Sequence, residues 1–189
     1  EVKFKGNDYE KSMIEAEGYA FKNNYVLLSD STWETCQSGI EVMEGYSIIG
    51  DEVHNQLLSC NSGSITHVFL QAGVGGFAAA IALSLRKFLS KDSKIIIVEP
   101  TQAKTLFNSL QNEKPSIAEG QVSIMGRLDC KAPSLSAFYS LSKTSNFFMH
   151  LEDDYVRKKI NNLSDFGIST SPSGGAGIAA LIYANENQL

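Results

Sequence analysis

The stretch Thr66-His-Val-Phe-Leu70, running into Gln71-Ala-Gly-Val-Gly-Gly76 and then the small-residue run Phe77-Ala-Ala-Ala-Ile-Ala82, decides how this chain is read. The first segment is apolar and reads as a strand; the last reads as a helix reaching Phe88. Between them glycines let the backbone turn tightly and bring its N–H groups close to an anion. The start of the helix adds a favourable dipole, and its alanines allow close packing on a sheet. This is a physical arrangement for binding phosphate. It is not a Walker loop, because no Lys-Ser/Thr follows, and no later glycine completes a GxGxxG pattern. A dinucleotide site also needs an acidic residue at the end of the next strand, where Glu99 stands, so that alternative stays open. A tight strand-to-helix turn that binds nothing also fits the spacing.

Strands and helices alternate outward from this loop. Upstream, Val2 to Lys5 is predicted as a short strand, and Tyr9 to Phe21 as a helix capped by Asn7 or Asp8. The apolar run Tyr25-Val-Leu-Leu28 is predicted as a buried parallel strand that delivers Ser29-Asp30 at its carboxyl end. Ile40 to Leu58 is a long helix, with Val42, Met43, Tyr46, Ile49, Val53 and Leu57 three or four apart. Downstream, Lys94 to Val98 is a strand stopped by Glu99-Pro100, and Thr101 is the expected cap of a helix reaching Leu110. Residues 114–133 are irregular. Leu135 to Leu141 is helical, Asn146 to His150 a strand, and Asp153 to Leu163 a helix. The turn Ser171-Pro-Ser-Gly-Gly-Ala-Gly177 leads into a last helix, Ile178 to Tyr183. Strands separated by helices pair in parallel through crossovers, so the expected fold is α/β, a parallel sheet flanked by helices. Ligands in such sheets sit at the carboxyl ends of strands, where Asp30 and the glycine loop fall.

Composition narrows the function. The chain has 189 residues and a formal net charge of −5, with no basic stripe, which argues against a nucleic-acid partner. Its apolar runs are short, so no membrane span is expected. Cys36, Cys60 and Cys130 are odd in number, far apart and outside CxxC spacing, which fits a reducing, cytoplasmic compartment. His54, His67 and His150 are scattered, so no metal is expected. The opening at Glu1 and the close at Leu189 directly after a helix lead to the expectation of a fragment truncated at both ends.

Several of these landmarks together resemble the diaminopropionate ammonia-lyase family, within the tryptophan-synthase-beta-like (fold type II) pyridoxal-phosphate enzymes. Thr66 to Gly76 resembles that family's phosphate-cup strand and loop. Gly6-Asn-Asp-Tyr9 with Ser12 is similar to its Gly-x-Tyr-Asp-x-Ser stretch, and Ser29-Asp-Ser-Thr-Trp-Glu34 to its Asp-Thr-Ala-Trp-Glu motif. Gly45-Tyr46, Asp51-Glu52 and Ile97-Val-Glu-Pro100 fall in order. Ser123-Ile-Met-Gly-Arg-Leu-Asp-Cys130 is similar to its Thr-Ile-Met-Ala-Gly-Leu-x-Cys segment, and Ser171 to Gly177 to its Ser-Gly-rich turn.

The resemblance implies a pyridoxal 5'-phosphate cofactor and α,β-elimination of 2,3-diaminopropionate, or a similar small amino acid, to pyruvate and ammonia. It implies that Ala72, Gly73, Val74, Gly75 and Gly76 hold the cofactor phosphate, and that Asp30 is the active-site aspartate in acid/base chemistry. Trp33 is expected in a packed wall, Glu34 in a salt bridge, Ser171, Ser173, Gly174 and Gly175 along the pocket, and Cys130 as a buried thiol. Residues 1–30 are implied to be a remnant of the small domain and its junction, residues 31–189 the large phosphate-binding domain, and the whole protein a homodimer. The family's cofactor lysine lies in a Ser-Phe-Lys-type motif upstream of the matched region. Phe4-Lys5-Gly6 and Phe21-Lys22-Asn23 stand in the wrong context for it, so the parent is the expected enzyme and this chain alone is expected to be inactive. The alternatives are a serine or threonine dehydratase-like enzyme of the same group, or a non-catalytic phosphate- or nucleotide-binding α/β protein.

Overall fold

The computed structural model describes residues 2–60 and 63–189. At its centre three parallel strands lie side by side in chain order: β1 (His67–Gln71), β2 (Lys94–Pro100) and β3 (Phe147–Leu151). Register pairs Leu70 with Ile97, and Glu99 with His150. Each strand alternates its side chains between two faces. Leu70, Ile95 and Ile97 join one buried cluster with α2 (Ser38–Ser59), α3 (Gly76–Leu85) and α5 (Leu135–Thr144). Phe69, Val98, Met149 and Leu151 join another with α6 (Asp153–Leu163) and α7 (Ala176–Glu186). The result is a sheet covered by helices on both faces, as the strand–helix alternation predicts.

Small residues set how closely these layers approach. Ala78, Ala79 and Ala82 of α3 are fully buried. Where α2 crosses α3, a Cβ on Gly50 would lie 2.5 Å from the Ser84 Cβ, so the contact needs glycine there. Ser84 Oγ also donates to Asp51 Oδ1 at 2.9 Å, tying the pair.

Three sequence expectations are corrected. Val2 to Lys5 forms no strand, and Phe4 is 95% exposed. Tyr25 to Leu28 is not a buried strand either: it is extended chain with Val26 85% exposed. A strand needs a neighbour to pair its N–H and C=O groups, and neither segment is paired with the three-stranded sheet. The helix expected after Thr101 begins later, as α4 (Thr105–Gln111), and Thr101 does not cap it. Its cap comes from the preceding strand. Glu99, fully buried, accepts from the Leu106 N–H at 2.8 Å and the Phe107 N–H at 3.1 Å. By contrast α1 (Tyr9–Asn23) matches its predicted start, with the Asp8 side chain accepting from the Lys11 N–H at 2.8 Å.

Candidate functional site

β1 ends at Gln71, and Ala72 still pairs its N–H with the Val98 carbonyl at 2.9 Å. The chain then leaves the sheet through Gly73, Val74 and Gly75. Gly75 has φ +100°, a conformation that side-chain-bearing residues rarely adopt. A Cβ there would also sit 3.0 Å from both the Ala137 Cβ and a Leu106 methyl. At Gly73 a Cβ would lie 2.9 Å from the Arg127 carbonyl oxygen. The loop is thus pressed between α4, α5 and the 126–128 segment. The Val74 carbonyl accepts from Ser134 N–H, and the Gly75 carbonyl accepts the first α3 bond, from Ala79 N–H, both at 2.9 Å.

Among the described residues, no acceptor takes the N–H groups of Gly73, Gly75 or Gly76. They lie at or just before the N-terminus of α3, whose positive end is the chemistry of an oxyanion site. A phosphate fits here on two counts: the donors are free, and glycine keeps the backbone accessible. The whole predicted set, Ala72 to Gly76, lines one cavity of about 500 Å³.

Asp30 reaches the same cavity, although the strand expected to carry it does not form. Side-chain hydroxyls hold its neighbours instead. Ser29 N–H donates to Ser38 Oγ at 2.8 Å, and Thr32 N–H to Ser134 Oγ at 3.1 Å. Leu135 and Ser136 at the start of α5 donate back to the Thr32 carbonyl and hydroxyl. Asp30 is itself exposed, and its carbonyl oxygen lies 3.2 Å from where a Gly76 Cβ would stand. Its Oδ1 accepts from the Tyr9 hydroxyl at 2.8 Å. Burial, and then this bond to a carboxylate, push the Tyr9 pKa up, so the phenol stays a protonated donor.

The Ser-Gly turn contributes as expected in part. Ser171, Ser173 and Gly174 line the cavity, and Ser173 Oγ accepts from the Arg127 N–H at 3.0 Å. Gly175 does not line it; its Cβ position is filled by the Ile160 side chain. Cys130 is a buried free thiol on the cavity wall, pushed up to about 12, chiefly by burial and then by the Glu10 carboxylate. Trp33 does not line the cavity. Its Nε1 donates to Glu17 Oε1 at 2.9 Å, fastening α1 to the turn that follows Asp30. Glu34 is exposed, and among the described residues it forms no ion pair. Lys5 and Lys22 are exposed, and no lysine is among the described residues lining the cavity.

Sequence reasoning missed Tyr9, Tyr46 and Arg127 as cavity residues. Tyr46 carries a signal in its phase on α2; Tyr9 falls in the Gly6-Asn-Asp-Tyr9 stretch, but its meeting with Asp30 comes only through tertiary packing. Glu99 settles differently from the dinucleotide alternative. Both of its oxygens are engaged by α4 amides inside the core, which leaves none to receive a ribose hydroxyl.

Known proteins resemble this chain in sequence and in fold. The chain is 29% identical over 177 residues to diaminopropionate ammonia-lyase from Salmonella typhimurium, covering 89% of this chain and 41% of that protein. It is 26% identical over 171 residues to the Escherichia coli (strain K12) diaminopropionate ammonia-lyase, covering 86% of this chain and 43% of that protein. The chain therefore spans less than half the length of these curated relatives. A crystal structure of the holo Escherichia coli enzyme superposes with a TM-score of 0.83 at 25% identity, over 92% of this chain and 45% of that one. The processed form of threonine deaminase isoform 2 from Solanum lycopersicum shares the fold, with a TM-score of 0.82 at 21% identity over 97% and 51%. Among the described residues no helix is long and apolar enough to cross a membrane. The model of the pyridoxal-phosphate dependent enzyme family matches residues 1–189, and the chain belongs to that family.

Proposed function

We propose that this chain is the phosphate-binding part of a pyridoxal-phosphate-dependent ammonia-lyase, acting on 2,3-diaminopropionate or a similar small amino acid by α,β-elimination. The observation that carries the reading is the meeting of the free amides of Gly73, Gly75 and Gly76 with Asp30 in one cavity. The likeness to curated diaminopropionate ammonia-lyases supports the substrate class.

When bound, the cofactor supplies an electron sink that acidifies the α-proton of an amino acid. The chain's own groups do the rest. Gly73 to Gly76 anchor the phosphate through main-chain N–H groups, and Ala72 and Val74 hold that loop in register with β2 and α5. Asp30, oriented by the Tyr9 hydroxyl, stands to exchange a proton with the departing amine. The lysine that the reaction also needs is not among the described cavity residues, so the activity belongs to a larger assembly than this chain.

We further assign residues 1–30 to the junction with a smaller domain, residues 31–189 to the phosphate-binding domain, the whole protein to the cytoplasm, and the working form to a homodimer. The exposure of Phe4 and Val26 supports pairing, since apolar surface of this kind is normally covered.

The test is binding of pyridoxal 5'-phosphate to the purified chain, followed by absorbance and calorimetry. Binding that is lost on Gly75→Val, with the folded circular-dichroism spectrum kept, supports the cup. Equal binding by wild type and variant overturns it. Pyruvate release from 2,3-diaminopropionate by the isolated chain, purified free of other enzymes, contradicts the assignment of activity to a larger assembly.

A further inference from the structure

Of the residues lining the cavity, Asp30 and Arg127 carry formal charges of opposite sign. Asp30 has the Tyr9 hydroxyl as a partner. Arg127 engages Ser173 through its backbone N–H, and among the described residues no carboxylate or carbonyl takes up its guanidinium. It is exposed, yet its backbone is fixed. A Cβ on Gly73 would meet its carbonyl oxygen at 2.9 Å, and the next residue, Leu128, is buried and bonds back to the Met125 carbonyl at 2.7 Å. Arg127 and Asp30 therefore flank the glycine loop at its two ends, one against Gly73 and the other against Gly76. In the Thr-Ile-Met-Ala-Gly-Leu-x-Cys segment that Ser123 to Cys130 resembles, a glycine stands at the position of Arg127.

A guanidinium is a rigid fork of donors matched to carboxylate and phosphate oxygens, and it never deprotonates in a protein. Main-chain amides give the loop partial positive charge but no full cation. An arginine beside them supplies the charge-assisted bond that the loop lacks.

We propose that Arg127 is an anion-binding and specificity-determining residue of this cavity, holding an oxyanion of the ligand seated against Gly73. The shared chemistry is a phosphate or carboxylate oxygen, belonging either to the cofactor phosphate or to the carboxylate of an amino-acid substrate. The inference rests on the cofactor reading above, and it adds that the site prefers ligands with net negative charge at the Arg127 end.

The experiment compares wild type, Arg127→Gly and Arg127→Lys by calorimetry with inorganic phosphate, pyridoxal 5'-phosphate and pyridoxal, and then with 2,3-diaminopropionate and aspartate added to the cofactor-saturated chain. Losing one charge-assisted bond weakens binding by about 10-fold or more in Arg127→Gly. Arg127→Lys keeps part of the affinity, and the salt dependence of binding flattens in the glycine variant. Weakening for inorganic phosphate and pyridoxal 5'-phosphate, with pyridoxal unchanged, places the cofactor phosphate on Arg127. Weakening confined to the amino acids, and greater for aspartate, places a substrate carboxylate there. Equal binding of every probe by wild type and Arg127→Gly overturns the inference and leaves the cofactor reading intact. A wild-type chain that binds neither phosphate nor pyridoxal 5'-phosphate overturns both.

Discussion

Glu99 shows how one residue changes meaning between sequence and structure. In sequence it sits where an acidic residue would read a ribose. In the fold it is fully buried and caps α4 through two amides, with His150 Nε2 3.8 Å from its Oε2. A carboxylate at a helix N-terminus is favoured by the dipole as well as by hydrogen bonding. Glu99→Gln keeps the volume but leaves one α4 amide facing an NH2 group. The expected loss is about 1–3 kcal/mol of stability, visible as a lower Tm in a calorimetric scan. An unchanged Tm would show that α4 does not depend on this cap. Gly75 is simpler, because its positive φ and its crowding by Ala137 and Leu106 both exclude a side chain. That requirement is legible in the sequence as a glycine after a strand, although the neighbours that enforce it are not.

At the scale of elements, α1 is the piece whose attachment rests on few side chains. Glu17 takes bonds from Trp33 Nε1 at 2.9 Å and Thr35 Oγ1 at 2.6 Å. Nearer the start of the helix, Glu10 accepts from Lys131 N–H at 2.5 Å. The bonds from Thr35 and Trp33 hold the Glu17 carboxyl below its ordinary value of 4.5. A depressed carboxylate stabilises the folded form above the unfolded pKa, and that contribution fades as pH falls through the folded pKa. Trp33 is the single tryptophan, so its fluorescence reports this contact directly. An acid titration is expected to show an emission change with a midpoint below pH 4.5, absent in Glu17→Gln. A titration that is the same in both proteins would detach Trp33 from Glu17. The same scale explains the two failed strands. Val2 to Lys5 and Tyr25 to Leu28 have strand-like composition, but strand formation depends on a partner and not on composition alone. The long helix α2 and the three sheet strands were legible because their periodicity is strong and their faces are buried.

For the whole molecule, the two buried clusters account for the sheet and its helices, while the segment before Asp30 lies open. Val2, Phe4, Phe21, Tyr25, Val26 and Leu28 are all more than 60% exposed. Apolar area of this kind associates in water, and about 25 cal/mol is gained for each Å² covered. Static light scattering on the purified chain is expected to give a dimer that Phe4→Ser and Val26→Ser together convert to monomer. A monomeric wild type at high concentration would remove the support these residues give to pairing.

By itself the sequence determined the layered α/β order, the glycine loop between β1 and α3, and the candidacy of Asp30, because these rest on local periodicity, turn chemistry and linear motifs. Tertiary structure decided which residues meet. It brought Tyr9 to Asp30 across the gap between α1 and the Ser29–Thr32 segment, set Arg127 against Gly73, buried Glu99 beneath α4, and left Tyr25 to Leu28 unpaired. The physical reason is that these contacts join positions far apart in the chain, and their geometry follows from how whole layers pack and not from any local pattern.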